Sequence, residues 1–374
     1  MKKAFVILGM GLALLAAAAL VMTQTSWGQN FLMKRLIATT LLDTPMAWDD
    51  PDVLRVFVCG SASPLGISAR AQSCIVVAGG STFFIVDAGA GSTANLLRAR
   101  LPMQNLAGVL LTHFHSDHIS ALGDTNLVSW VGGRTAPLDV YGPEGVASVV
   151  DGFNKAYALD RTYRTEHHGS ELLPPDVGPM RPQLIAMGEV TEVGEFSIRP
   201  FSVDHDPVRP AVGYRFDYRG RSVVVSGDTN ALQSTATALR GTDLLLHDAL
   251  SRPMVHTMRD AAATAGNTRM AQILDDILEY HAHTDSLTDV SREAGVAMLA
   301  LYHLVPVPAN GIAESIFRRG LPSEIRLADD GTVFNLPANT DAIEVVQIFK
   351  CPPTIPRACR LRATSKNLGD PGGR

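Results

Sequence analysis

The chain has 374 residues, of which 46% are hydrophobic and 18% charged, and its formal net charge is −5. This length is sufficient for a large buried core in one domain or two. Lys and Arg are scattered along the chain and form no basic run. We therefore do not expect this chain to bind the phosphate backbone of a nucleic acid.

The N-terminus predicts export. Lys2 and Lys3 precede an uncharged apolar run over residues 4–22, close to the length that spans a bilayer as a helix. The two lysines predict that the N-terminus stays in the cytoplasm and that the body lies on the other side of the membrane. We expect residues 1–22 to be a signal anchor, with a cleaved signal peptide as the alternative. A connector over residues 23–50 then leads to a periplasmic or otherwise extracytoplasmic body.

The body, residues 51–345, alternates strand-like apolar runs with helical patterns. The strand-like runs are 53–58, 73–77, 82–86, 108–112, 138–141, 196–203, 214–218, 222–226, 244–247 and 297–302, and the helical patterns are 92–100, 143–156, 266–281 and 287–294. Strands in two groups with helices between them predict an α/β fold in which two sheets pack face to face inside helical layers. Arg219-Gly220 is typical of a hairpin turn. Residues 346–374, rich in Pro, Arg and Gly, predict a loosely ordered tail.

The chain has 4 cysteines, which would permit two disulfides in an oxidising compartment. Cys351 and Cys359 enclose a Pro-rich turn, which favours a local bridge. Cys59 and Cys74 lie in successive apolar runs and are candidates for a bridge across a hairpin, with two small buried thiols as the alternative. No pair has CxxC spacing, which argues against a cysteine-rich metal site.

The strongest chemical signal lies at the end of an apolar strand, in the sequence GVLLTHFHSDH over residues 108–118. Side chains two positions apart in extended backbone point the same way, so His113 and His115 can hold one metal ion. Asp117 and His118 follow at a helix start and can face a second ion. Neutral imidazole and carboxylate groups suit a borderline divalent cation such as zinc.

This HxHxDH pattern resembles the metallo-β-lactamase superfamily, and the resemblance continues through most of residues 53–335. It implies an αββα sandwich of two mixed sheets. Later segments match the family's remaining ligand positions, namely FSVDH at 201–205, VVVSGDT at 223–229 and ALYH at 300–303. The GYR sequence at 213–215 is similar to the ribonuclease Z and arylsulfatase branch. The resemblance implies two divalent metal ions, one held by His113, His115 and His205, the other by Asp117, His118 and His303, with Asp228 bridging them.

The same branch resemblance assigns a proton donor. HAHTDS at 281–286 resembles the branch's His-Ser-Thr loop, and LHDA at 246–249 resembles its His-Glu-Ala-Thr element. This implies His283 as general acid, since an imidazole can donate a proton near neutral pH, with Asp248 as its orienting partner. His247 and His281 are expected to be structural.

Other residues are expected to support the site. The turn at 60–66, which contains Ser61 and Ser63, is expected to orient an anionic substrate, with a plain tight turn as the alternative. Asp124, Asp204 and Asp206 are candidate hydrogen-bond acceptors for the ligating histidines.

The function implied is that of an exported hydrolase with Asp117, Asp248 and His283 among its catalytic residues. Two cations that share a water lower its pKa toward neutrality and so supply a hydroxide nucleophile. A phosphodiester or sulfate ester of a small molecule is the expected substrate. A β-lactam or lactone hydrolase and a ribonuclease Z-type endonuclease are the alternatives. The expected export weighs against the endonuclease, and so does the lack of a Gly/Pro-rich basic arm of the kind that such enzymes extend to hold tRNA. We expect no nucleic-acid partner. We expect contact with the membrane if the N-terminal helix is retained, and a homodimer is one possible assembly. A non-catalytic binding module is disfavoured because the ligand positions are intact.

Overall fold

The computed structural model describes residues 2–41, 46–65, 68–230 and 236–349. The chain divides into two units, Met1–Ala47 and Trp48–Arg374. The first unit contains α1 (Lys2–Gln24) and α2 (Ser26–Leu41), so part of the predicted connector is helical. Within the described ranges no helix is by itself long and apolar enough to cross a membrane, although the two together qualify as a span bent by 83°. Export of the body therefore stays a prediction.

The second unit contains the strands and the remaining helices. The strands are β1 (Val53–Gly60), β2 (Cys74–Gly79), β3 (Thr82–Val86), β4 (Leu106–Leu110), β5 (Leu138–Gly142), β6 (Met180–Leu184), β7 (Thr191–Val193), β8 (Phe196–Ser202), β9 (Val212–Tyr218), β10 (Arg221–Val225), β11 (Leu244–Leu250), β12 (Met298–Val305), β13 (Arg326–Leu327), β14 (Thr332–Pro337) and β15 (Glu344–Gln347). The helices are α3 (Ser92–Arg98), α4 (Ser116–Ile119), α5 (Leu122–Val131), α6 (Val146–Ala156), α7 (Ala158–His168), α8 (Ala236–Leu239), α9 (Arg252–Thr264), α10 (Thr268–Ile277), α11 (Thr284–Glu293) and α12 (Gly311–Phe317), and a short 3₁₀ helix covers Met103–Asn105.

The strands form two mixed sheets, which confirms the predicted α/β sandwich. The first sheet has the order β15-β14-β1-β2-β3-β4-β5-β6 and the second the order β13-β12-β11-β10-β9-β8-β7. In the first sheet, β3, β4, β5 and β6 are parallel neighbours. In the second, β10 to β13 are parallel neighbours, while β8, β9 and β10 are antiparallel. Each sheet therefore has a set of parallel strands whose carboxyl ends meet at one edge.

The main core lies between the two sheets. The inward side chains of both sheets form one buried cluster, in which Phe84 of the first sheet meets Phe196 and Phe216 of the second. The Phe84 ring packs edge-on against Phe196 at 5.4 Å and tilted against Phe216 at 6.1 Å between centroids. Strands β2, β10 and β11 are buried along their whole length, because helices cover the faces that point away from this core.

Several local predictions can be checked directly. The Arg219-Gly220 hairpin is confirmed, with both residues at positive φ (44° and 77°) as a type I′ turn requires. A Cys59–Cys74 disulfide joins β1 to β2, which decides between the two alternatives for this pair. The Cys351–Cys359 pair lies outside the described residues.

The folded body extends beyond the predicted boundaries at both ends. Trp48 is buried, and its indole N–H donates to the carbonyl of Ala99 at 3.1 Å, so the body begins before residue 51. Strand β15 continues past residue 345, and Phe349 packs edge-on against Phe57 at 5.9 Å. The tail therefore begins later than residue 346, and residues 350–374 lie outside the described part of the chain.

Candidate metal centre

The carboxyl ends of the parallel strands bring the predicted site residues together. The histidine-rich segment follows β4 in the first sheet. Asp228 follows β10, and Asp248 and His303 lie near the ends of β11 and β12 in the second. Side chains beyond the carboxyl ends of parallel strands face a common crevice, which is where such sheets bind ligands.

The first cluster of ligand atoms contains His113, His115, His205 and Asp228. One donor atom from each lies within 4.8 Å of the others. The distance from His113 Nε2 to His115 Nδ1 is 3.0 Å, and that from His113 Nε2 to Asp228 Oδ2 is 4.0 Å. These are the residues that the sequence groups around the first metal ion.

The second cluster contains Asp117, His118, Asp228 and His303, again with donor atoms within 4.8 Å of one another. The distances from His118 Nε2 to Asp117 Oδ2 and Asp228 Oδ2 are 3.5 and 3.3 Å. Those from His303 Nε2 to the same two oxygens are 3.0 and 3.4 Å. Donors about 2.0–2.2 Å from one tetrahedral ion lie about 3.3–3.6 Å apart, so three of these four distances are those expected around a single small divalent cation.

Burial of these atoms gives a second indication that they bind cations. His118 Nε2, His205 Nε2 and Asp228 Oδ1 are buried, and none has a hydrogen-bond partner among the described residues. A buried polar atom without a partner is costly unless a ligand satisfies it. Imidazole nitrogens and a shared carboxylate therefore fit the divalent cations that the fold implies.

The electrostatic environment differs between the two clusters. Burial lowers the pKa of His113 well below its usual value, and burial also lowers the pKa of His205. These imidazoles are therefore neutral and ready to donate a lone pair. Burial acts the same way on His118, but the carboxylates of Asp228 and Asp87 outweigh it and raise its pKa well above the usual value. The second cluster thus strongly favours positive charge, which a divalent cation supplies.

Asp87 orients His118, and the sequence did not predict it. Its Oδ2 lies 2.8 Å from His118 Nδ1, and its Oδ1 accepts a hydrogen bond from the Thr112 backbone N–H at 2.8 Å. Asp87 is fully buried and has a positive φ of 59°, a strained conformation for a side chain other than glycine. A single carboxylate directly after the buried strand β3 is the signal that could have revealed it.

The three acidic residues expected to accept from ligating histidines do not do so. Asp124 accepts from the Tyr157 hydroxyl at 2.6 Å, and Asp206 pairs with Arg209. Asp204 uses its backbone carbonyl, which accepts from Asn230 N at 2.7 Å. His205 is instead oriented by a backbone group, since its Nδ1 lies 2.9 Å from the carbonyl oxygen of Tyr280.

Two residues of the site, a candidate ligand and a glycine, have unusual backbone conformations. His303 has a φ of 44°, which turns its imidazole toward Asp117 at the point where the pairing of β11 and β12 shifts register. Gly227 has a φ of 65°, and a Cβ there would lie 2.8 Å from the carbonyl oxygen of Val212. Only glycine allows the chain to turn here and direct Asp228 into the site.

The structure places His281, and not His283, beside Asp248. Asp248 Oδ2 lies 3.0 Å from Nδ1 of His281, and the His281 ring stacks on that of His303 at 5.5 Å between centroids. His283 instead lies with its Nε2 2.8 Å from the carbonyl oxygen of Leu278 and contacts Arg252. The expected pairing of His283 with Asp248 is therefore wrong, and His281 takes that position.

Backbone pairing explains the difference. The Leu250 N–H donates to the carbonyl of Ala282 at 2.7 Å, which holds this loop against the end of β11. His281 then lies over Asp248, while His283 directly precedes α11. His247, expected to be structural, is fully buried with its Nδ1 2.9 Å from Asp248 Oδ1. Hydrogen bonds with His247 and His281 outweigh the effect of burial and lower the pKa of Asp248.

Ser61 and Ser63 are not placed to contact a substrate. The Ser61 hydroxyl donates to Asp330 Oδ1 at 2.8 Å, and the Ser63 hydroxyl donates to the carbonyl of Leu304 at 2.8 Å. Both residues are buried. Their hydroxyls hold the turn against β12 and against the turn that precedes β14, which favours the alternative of a structural turn.

Comparison with known proteins agrees with this geometry. Residues 82–303 match the family described as "Beta-lactamase superfamily domain". The chain is 33% identical over 258 residues to a ribonuclease Z of Mycolicibacterium gilvum (strain PYR-GCK), an overlap that covers 68% of this chain and 85% of that protein. The metallo-beta-lactamase fold protein YhfI from Bacillus subtilis has a TM-score of 0.56 at 19% identity, covering 76% of this chain and 100% of that one. The short form of human tRNase Z has a TM-score of 0.52 at 18% identity, covering 76% and 99%. The two solved structures share the fold.

Proposed function

We propose that this chain, which belongs to the ribonuclease Z-like branch of the β-lactamase superfamily, hydrolyses a phosphodiester bond. Membership of the superfamily makes it a hydrolase whose fold implies divalent metal ions. The bond that it cleaves is the proposal. A pair of divalent cations activates water and neutralises charge on the oxygens of a phosphoryl group during in-line displacement.

The observation that carries the proposal is the sharing of Asp228 by two complete ligand sets. His113, His115 and His205 lie on one side of it and Asp117, His118 and His303 on the other. Six side chains arranged around one shared carboxylate fit two cations and not one. Two cations side by side suit an anionic ester, because they offset the charge of both the attacking and the leaving oxygen.

His281 is the residue that we assign as proton donor to the leaving oxygen. It is only 7% exposed, its Nδ1 lies 4.0 Å from Asp228 Oδ2, and Asp248 accepts at that same nitrogen. Asp248 therefore fixes the ring so that Nε2 is the atom available to a substrate. A proton from His281 is needed when the leaving group is a poor one, such as an alkoxide.

A substrate panel tests the proposal. Full-length protein, purified in detergent and loaded with zinc, should cleave bis(p-nitrophenyl) phosphate faster than p-nitrophenyl sulfate or nitrocefin. Treatment with EDTA should abolish the activity, and zinc should restore it. His113→Ala should be inactive, whereas His168→Ala, at an exposed histidine outside the clusters, should match the wild type. A higher rate on nitrocefin or on the sulfate would contradict the proposal.

A ribonuclease Z-type endonuclease is the other candidate, and the comparisons favour it over a hydrolase of small diesters, because the chain is 33% identical to the ribonuclease Z of Mycolicibacterium gilvum. RNA is a phosphodiester, so both candidates use the same chemistry on different substrates. The net charge of −5 weighs against a long polyanion. Incubation with a tRNA that carries a 3′ extension decides the question. One discrete cut would make RNA the substrate, and no cleavage alongside rapid diester hydrolysis would exclude it.

We also propose that the catalytic body works outside the cytoplasm. Lys2 and Lys3 before the apolar residues of α1 support this, and so does the Cys59–Cys74 disulfide, since such bonds persist in oxidising compartments. Fractionation of cells that express the full chain with a C-terminal tag tests it. We expect the tag in the membrane or periplasmic fraction, accessible to a protease added to spheroplasts. A protected tag in the cytosol would refute it.

A further inference from the structure

We infer that a cavity beside His205 is a subsite for an uncharged apolar group, aryl or branched alkyl, carried by the scissile diester. The cavity has a volume of about 660 Å³, and His205 forms part of its wall. The inference rests on the proposed phosphodiesterase activity and narrows its substrate class.

The cavity touches the metal centre through His205, which is part of its lining. One wall is the segment after β8, where Val203 precedes His205 by two positions, and the opposite wall is the end of β6, with Leu184, and the segment after it, with Met187. His205 Nε2 is one of two donor atoms in the first cluster, with Asp228 Oδ1, that have no hydrogen-bond partner among the described residues. A phosphoryl group held at that cluster would lie next to His205, so one of its ester substituents could extend into this cavity.

The walls are apolar where the protein would ordinarily expose polar groups. Leu184, the last residue of the edge strand β6, is 71% exposed, and Met187, three positions further on, is 44% exposed. Ile185 lies between them and packs against the main core, which fixes the wall in place. Exposed apolar side chains grouped in a concave surface beside a reactive centre are typical of a ligand subsite.

The charges on the rim argue against a second anionic group. Glu144 and Asp204 line the cavity, and Arg209, the one Arg or Lys among the described residues that line it, is ion-paired with Asp206. The rim therefore carries an excess of negative charge. A monoanionic diester with a neutral substituent fits, because its only charge lies at the metal centre, whereas a substituent with further phosphates would be repelled.

Three diesters with the same leaving group test the inference: methyl, phenyl and thymidine-5′-yl p-nitrophenyl phosphate. Wild-type protein should cleave the phenyl ester with a kcat/KM about 10-fold or more above that of the methyl ester, the range that a few buried carbons supply. The double variant Leu184→Ala/Met187→Ala should lose most of that preference and keep its rate on the methyl ester. Leu172→Ala, at a leucine that is 67% exposed and outside the cavity, is the matched control.

Binding separates failure of the subsite from failure of the proposed function. Phenylphosphonate and methylphosphonate should inhibit or bind the zinc-loaded protein with the same order of preference, as measured by calorimetry, whether or not diesters are cleaved. If diesters are cleaved but neither probe set distinguishes phenyl from methyl, the subsite is overturned and the phosphodiesterase stands. In the opposite case no diester is cleaved, phenylphosphonate still binds more tightly than methylphosphonate, and the double variant lacks this difference in affinity. That result would contradict the proposed function and support the subsite.

Discussion

Replacement of His281 is the sharpest test of the mechanism, because His281 and His283 are two residues apart and only one of them lies in the site. His281 is 7% exposed and shares a 3.0 Å hydrogen bond with the buried carboxylate of Asp248. His283 bonds instead to the carbonyl of Leu278. His281→Ala should therefore remove the proton donor, and His283→Ala should leave it in place.

The size of the effect depends on the leaving group. A positioned general acid contributes about 10²- to 10⁴-fold, or about 3–5 kcal/mol of transition-state stabilisation, when the leaving oxygen needs a proton. On methyl phenyl phosphate, a poor substrate, His281→Ala should lose activity in that range. On methyl p-nitrophenyl phosphate, whose leaving group departs without a proton, the loss should be much smaller. His283→Ala should stay within a few-fold of wild type on both.

The assay is kcat/KM for both diesters with wild-type protein, both alanine variants and Asp248→Asn. Metal content, measured by plasma emission spectroscopy, must be equal in all four, since His281 also stacks on the ligand His303. Asp248→Asn should resemble His281→Ala with a smaller loss, because it disturbs the orientation of the ring only. Equal losses on the two diesters for His281→Ala, or a loss for His283→Ala that depends on the leaving group, would refute the assignment.

Three further outcomes follow from the fold and the site. Asp228→Asn should lower bound zinc from about two equivalents to one or fewer, because both ligand sets share that carboxylate; two retained equivalents would contradict the bridging role. Mutation of Cys59 and Cys74 to serine should lower the free energy of unfolding by about 3 kcal/mol, as expected for a loop of 15 residues, and denaturant melts that coincide with wild type would argue against it. Asp330→Asn should destabilise the body by about 1–3 kcal/mol, as measured by thermal unfolding. The two carboxylate oxygens of Asp330 accept hydrogen bonds from Ser61 N, Ala71 N and Asn95 Nδ2, and an amide has only one oxygen that can accept.

The sequence predicts well which side chains come together at the site, because each one lies at or near a strand end. The HxHxDH segment is local, and its four side chains need only the end of β4 and the start of α4 to be placed. Asp228 and His303 follow buried apolar runs that have no other interpretation than strands. Where a long apolar run defines the element, the position of the polar residue that follows it is also defined.

The errors come from tertiary contacts that leave no local pattern. The choice between His281 and His283 depends on the pairing of Ala282 with Leu250, which lies on a strand more than thirty positions earlier. Asp87 acts through His118, again across two strands. Helix α7 has no buried residue and β13 has only two residues, so neither forms an apolar run that marks the element in the sequence.

Charge explains why the site is costly for the fold without its cations. The buried carboxylates of the described body, Asp87, Asp117, Asp228 and Asp248, all surround the metal centre. Protons on His118 and His303 offset part of this charge, as the raised pKa of each indicates, but burial opposes protonation of both rings. Two divalent cations would balance four carboxylates without protonation of a ligand, so we expect metal binding and folding to be coupled. Little positive charge would then be left over for a substrate, which supports our proposal of a singly anionic ester with an apolar substituent over a polyanion.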